Sequence, residues 1–171
     1  MAKTRWLDER QQHVWRSYIR MNQELYARLA DLLAAEGGVS AADYTILVPL
    51  SEEPSGVLRA RDLGADIGWD RSRLSHHLAR MDRRGMVARE KCEEDARGLM
   101  VRITPAGRRA IEGAAPAHAE AVQEHFFDLL SEEELDTLSE AFGRVLDKLA
   151  ADATSSTTTG AHGAPPCPSH P

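Results

Sequence analysis

The sequence predicts a mainly α fold with a small β wing, comprising about six helices and a two- to three-stranded hairpin. Three observations carry that reading. Residues 70–84 form a short amphipathic helix stopped by Gly85, and two strand-like segments joined by a charged tip follow at once. A second short helix and a tight turn precede it. Long apolar stripes at helical spacing occupy both ends of the chain.

The central helix separates into two faces at 100° per residue. Leu74, Leu78 and Met81 step by four and three, so they form one inward stripe. Opposite lie Ser72, His76, Ala79, Arg80 and Arg83, with Arg73, His77 and Arg84 on one flank. Asp70 is placed to cap the first turn, and Gly85 supplies the left-handed residue that ends it. A charged helix face is ordinarily just solvated, but the segments around this one argue for more. Residues 86–89 and 99–103 have the mixed apolar and polar look of strands, with a turn-like, charged tip at 93–98. Upstream, residues 57–67 read as a helix with Leu63 and Ile67 on one side, and Gly68 and Trp69 fill the turn that follows. Helix, turn, helix and wing therefore succeed one another without a gap. A rod of this width fits the major groove of B-DNA, and the hairpin beside it reaches the minor groove.

Here the chain resembles the MarR family of winged helix-turn-helix transcriptional regulators. The resemblance rests on Leu63 and Gly64, on S-R-L-S-H-H-L-A-R-M-D-R-R-G-M-V-A-R at 72–89, and on D-A-R-G-L-M-V-R-I-T-P-A-G at 95–107. It extends more loosely over residues 6–150. The family's wing pattern is D-x-R, then a strand, then Thr-x-x-Gly, and its juxtaposition with the helix is more specific than either piece. The resemblance implies that Arg97 enters the minor groove with Asp95 holding it in place. It also implies that Ser72, Arg73 and His76 face bases while Arg80 and neighbouring polar groups reach phosphates. The predicted DNA-binding set is thus Ser72, Arg73, Ser75, His76, His77, Arg80, Arg83, Asp95 and Arg97.

Composition sets the outer limits. A chain of 171 residues, 42% of them hydrophobic, can bury about two-thirds of its unfolded surface in one ordinary globule. No run approaches the roughly 18 apolar residues of a membrane span, and the first eight residues lack a signal-peptide core, so a cytoplasmic protein is expected. The net charge of -6 is unevenly spread. Residues 57–109 hold 13 basic against 8 acidic side chains, a net +5, while the rest holds 8 against 19, a net -11. With a Debye length of about 8 Å at physiological salt, the acidic remainder scarcely cancels the local positive potential. Cys92 and Cys167 are too few and too awkwardly placed for a disulfide framework.

The first long helix is expected over residues 5–36, with Leu7, Val14, Tyr18, Met21, Leu25, Leu29 and Leu32 in register and Gly37 and Gly38 as its stop. Trp6, Trp15, Ile19 and Tyr26 add apolar surface on other sides, which suggests a second interface. Ser40 with Asp43 resembles a weakened capping box. Thr104 and Pro105 open a helix expected to run towards Leu130, bent or broken near Gly113 and Pro116. Ser131 with Glu134 caps a last helix carrying Leu135, Leu138, Phe142, Val145, Leu146 and Leu149. Leftover apolar faces at both ends bury each other most economically in a twofold dimer. The expected organisation is a helical dimerisation region (1–36 and 105–151), a winged helix-turn-helix domain (37–104) and a disordered tail (152–171). Two readers on a twofold axis reach successive major grooves about 34 Å apart on a pseudo-palindrome.

Taken with the family resemblance, this predicts a dimeric repressor released from its operator by a small-molecule effector, with no cofactor. Trp15, Tyr18 and Tyr44 are candidate pocket aromatics, although aromatics at helical spacing are more often core. Cys92 beside Lys91 offers an alternative, thiol-based redox sensing. His118 with His125, and Cys167 with His162 and His170, are weak metal candidates. An enzyme is not expected, since no Walker loop, G-x-S-x-G, H-E-x-x-H or dinucleotide fingerprint is present. A winged helix that binds protein instead of DNA is the remaining class.

Overall fold

Asp8, not Arg5, sets the start of the first helix in the computed structural model, which describes residues 4–91 and 98–158. Asp8 and Gln11 form a reciprocal capping box, with Gln11 N donating to Asp8 Oδ1 at 2.8 Å and Asp8 N to Gln11 Oε1 at 3.1 Å. The chain then runs α1 (Glu9–Gly37), α2 (Ala41–Glu52), β1 (Val57–Arg59), α3 (Ala60–Asp66), α4 (Arg71–Arg83), β2 (Val87–Lys91), β3 (Leu99–Ile103), α5 (Pro105–His125), a single 3₁₀ turn (Phe127–Leu129) and α6 (Glu132–Thr158). The contacts divide it into two compact units between His125 and Phe126.

In the first unit, α1 packs along α5, and α2 sits against both and against β3. The core joins Leu33, Val39, Ile46, Leu47 and Leu50 to Leu63, Leu74, Leu78 and Met81, and to Val87, Val101, Ile103 and Ile111. Only the C-terminal end of α1 enters it, through Leu29 and Leu33. The stripe predicted along the N-terminal part is exposed at Val14, Tyr18 and Met21, as is Trp15 on a neighbouring side.

The three strands form an antiparallel sheet in the order β1-β3-β2. Val57 pairs with Arg102 and Arg59 with Met100, while Val87 pairs with Ile103 and Lys91 with Leu99. This corrects the single helix expected over 57–67. Its first three residues join the free edge of β3, a partner more than 40 positions away that local periodicity cannot register. The helix that remains has seven residues.

At the sheet's base, Thr104 Oγ1 donates to the carbonyls of Gly85 (2.6 Å) and Met86 (3.1 Å) and accepts from Gly107 N at 3.0 Å. A Cβ on Gly107 would lie 2.1 Å from the Met86 carbonyl oxygen, far inside van der Waals contact. The Thr-x-x-Gly pattern is therefore a clamp between the first turn of α5 and the start of β2. Helix α5 continues across Gly113 and Pro116, where a bend or break had been expected.

In the second unit, α6 opens on the predicted capping box, Glu134 N donating to Ser131 Oγ at 3.3 Å and Ser131 N to Glu134 Oε2 at 2.9 Å. Phe142, Val145, Leu146 and Leu149 are exposed along it. It extends seven residues past Ala151, where the shift in composition had placed the end of order. The Lys148–Asp152 pair, four residues apart, ties the first residue past Ala151 to the preceding turn. The rest of the predicted tail, with Cys167, His162 and His170, lies outside the described residues. Among the described residues, no helix is long and apolar enough to cross a membrane.

Candidate nucleic-acid interface

Helix α4 is held at its start by Asp70, whose Oδ1 accepts from the amides of Ser72 and Arg73, both at 2.9 Å. Gly85, with φ of 70°, turns the chain out of the helix into β2. Leu74, Leu78 and Met81 are buried as predicted. Arg71, Ser72, Arg73, Ser75, His76, Arg80 and Arg83 are exposed. These seven side chains are all hydrogen-bond donors, and five carry or can carry positive charge. The acidic residues of the segment are occupied: Asp70 caps, and Asp82 accepts from Arg89 Nε of β2 at 3.0 Å. That ion pair ties the helix to the wing's first strand. Arg102 of β3 grips Glu90 of β2 through two bonds of 2.8 and 3.0 Å, which sets one strand against the other. The pairing holds the Glu90 carboxyl below its usual range and raises the Arg102 guanidinium.

His77 departs from the prediction. Expected among the DNA-facing residues, it is 8% exposed and turned inward. Its Nε2 lies 2.8 Å from Asp43 Oδ1, and its ring meets Trp69 edge-on at 5.6 Å. The signal was in the sequence: 74, 77, 78 and 81 follow the i, i+3, i+4, i+7 pattern of one buried face. A histidine was read as a donor when its position made it core.

Asp43, read from the sequence only as half of a weakened capping box, also carries a role which that reading missed. It is the N3 partner in the box of α2, taking Ser40 N at 3.1 Å and Ser40 Oγ at 2.7 Å on Oδ2. On Oδ1 it takes His77 and Arg84, the residue that ends α4. The carboxylate is wholly buried. Burial by itself would push its pKa up, but the bonds from Arg84, Ser40 and His77 outweigh it and hold the group at about 2. An ionised carboxylate can only accept, so His77 presents Nε2–H to it. The capping box is visible locally; the contacts to residues 34 and 41 positions away are not.

Of the candidate pocket aromatics, Trp15 stacks on Tyr18 at 5.8 Å on the exposed face of α1. Tyr44 stacks on His118 of α5 at 4.4 Å, half-buried. Burial pushes the His118 pKa down, which favours the neutral ring in that stack, and burial next to Glu52 pushes the Tyr44 hydroxyl up. Cys92, Asp95 and Arg97 at the wing tip lie outside the described residues.

No family model and no curated protein matches the chain. Among solved structures, AbsC, a MarR family transcriptional regulator from Streptomyces coelicolor, is 37% identical, with a TM-score of 0.82 over 86% of this chain and 99% of that one. The chain belongs to the MarR family of transcriptional regulators. Sco3205, another MarR family regulator from Streptomyces coelicolor, was solved in complex with DNA; it is also 37% identical, at a TM-score of 0.82 over 86% of this chain and 92% of its own. PcaV from the same organism, in complex with its natural ligand, shares the fold at 23% identity and a TM-score of 0.65, over 84% and 98% of the two chains. The MarR-family assignment agrees with the two parts that carried the sequence resemblance, the donor-faced helix and the Thr104-to-Gly107 clamp.

Proposed function

We propose that this MarR-family chain is a homodimeric repressor that binds a pseudo-palindromic DNA operator in sequence-specific fashion. The observation that carries the reading is the face of α4: seven exposed donors on one side of a helix whose acidic residues are all engaged. That surface suits phosphate oxygens and the acceptor-rich edges of the major groove. Ser72, Arg73, Ser75 and His76, near the helix start, are assigned to bases; Arg80 and Arg83 are assigned to phosphates. Arg97, held by Asp95, is assigned to the minor groove. The 37% identity to Sco3205, which was crystallised on DNA, supports the assignment.

Residues 1–36 and 105–151 are assigned to dimerisation and 37–104 to DNA binding. Support comes from the apolar residues left exposed on α1 and α6, among them Val14, Trp15, Val145, Leu146 and Leu149. A second copy of the chain is the natural cover for them. A small-molecule effector that alters the spacing of the two readers would release the operator. The chain is assigned to the cytoplasm and to no catalytic role.

Selection of duplexes from a random pool, followed by mass measurement of the complex, tests the reading. Enrichment of an inverted repeat bound by two chains is expected. A monomer on the duplex, or no enrichment at low salt, refutes it. Arg97→Ala should weaken operator binding strongly at matched salt while leaving the dimer intact.

A further inference from the structure

Trp69 belongs neither to the core stripe of α4 nor to its donor face, and its place between the two has a consequence for recognition. It follows Gly68 in the turn between α3 and α4, half-buried. Its amide donates to the Gly64 carbonyl at 2.9 Å. Glycine eases that approach, since a Cβ on Gly64 would lie a tight 3.2 Å from both the Trp69 oxygen and a Leu74 methyl. The indole is braced edge-on by His77, which is tied to Asp43 and so to the start of α2. The Arg73 guanidinium carbon stands over the same indole, 4.0 Å from the ring centre. A continuous series of contacts thus runs from a buried carboxylate to a cation on the exposed face.

We infer that Trp69 is a positioning residue for sequence readout, holding the Arg73 guanidinium in the orientation that engages one guanine in each half-site. The inference rests on the proposed reading that α4 faces DNA. A guanidinium stacked through its face keeps its N–H donors free in the plane, where they match guanine O6 and N7 as a pair. Stacking also restricts a long side chain before DNA arrives, so less rotamer freedom is lost on binding. Among the described residues, Arg73 has no carboxylate partner that would compete for those donors.

A double-mutant cycle on the full-length protein tests this, using a duplex recovered by selection from a random pool and a scrambled duplex of equal length. A cation–π contact at a partly exposed site is worth about a 2- to 5-fold change in binding. Trp69→Leu should therefore weaken the selected duplex about 2- to 5-fold and flatten the preference for guanine at one position per half-site. Binding to the scrambled duplex should stay the same. Trp69→Phe should restore most of the loss. In an Arg73→Ala background, Trp69→Leu should cost nothing further. Arg73→Lys, a surface change that leaves the turn untouched, should lose the same guanine preference. Equal losses from Trp69→Leu in both backgrounds, equal losses on both duplexes, or an undiminished preference in Arg73→Lys would each overturn the proposal. Failure of the wild-type protein to distinguish the two duplexes would instead refute the reading of α4, and is seen before any variant is made.

Discussion

Replacing Asp43 with alanine removes the acceptor for four hydrogen bonds at once, and the structure allows the cost to be apportioned. The reciprocal half of the α2 capping box is lost, leaving the Ser40 amide without its partner, at about 0.5–1 kcal/mol. His77, 8% exposed, keeps a buried N–H with nothing to receive it, which costs about 1–3 kcal/mol. Arg84 is different. Its side chain is 41% exposed and can turn to water, so its share is small. The sum is about 2–4 kcal/mol, equivalent to a fall in Tm of roughly 5–15 °C for a chain of this size. Urea melts at one fixed protomer concentration measure it, since a dimer's stability depends on concentration. Asp43→Asn retains acceptor capacity but not charge and should fall between wild type and alanine. An alanine variant within about 0.5 kcal/mol of wild type would refute the claim that this carboxylate anchors α4 to α2.

Further expectations follow from the same geometry. Gly107→Ala places a methyl against the Met86 carbonyl oxygen, so the clamp must open, and thermal melting should show a loss of at least about 2 kcal/mol. Because the Asp43 pKa is depressed to about 2, its contribution is complete above the ordinary carboxylate range and is lost as pH falls towards 2. Acid titration should therefore remove roughly 2 kcal/mol more from wild type than from Asp43→Asn between pH 5 and 2. His76→Ala should reduce specific DNA binding by about 1–3 kcal/mol with little change in Tm, whereas His77→Ala should lower Tm first; the reverse order would contradict the inward placement of His77. Operator affinity should drop steeply with salt, and Arg80→Ala should make that slope shallower by about one unit.

What could be read from the sequence alone was local. The stripe Leu74, Leu78, Met81, the caps at Asp70 and Ser131, and the Thr104 and Pro105 start all depend on neighbours within four positions, and all appear in the structure. What was missed depends on distant partners. Val57–Arg59 becomes a strand because β3 offers it an edge, and Asp43 matters because Arg84 and His77 arrive from another helix. His77 is the instructive error, since chemistry overrode periodicity when the two disagreed. Spacing marks Trp69 only as turn filler, because a ring with a histidine at edge-on contact and an arginine over it has no signature in sequence periodicity. The exposed positions on α4 emerged in the expected places, His77 excepted.

The joint at Thr104 leaves the hairpin no slack at its root. With a main-chain oxygen seated where a methyl would otherwise stand, α5 and the root of β2 must travel as one lever. A tilt of α5 would therefore carry the start of β2 with it. A joint of this kind would couple the attitude of the wing to that of α5 while leaving the exposed face of α4 unaltered.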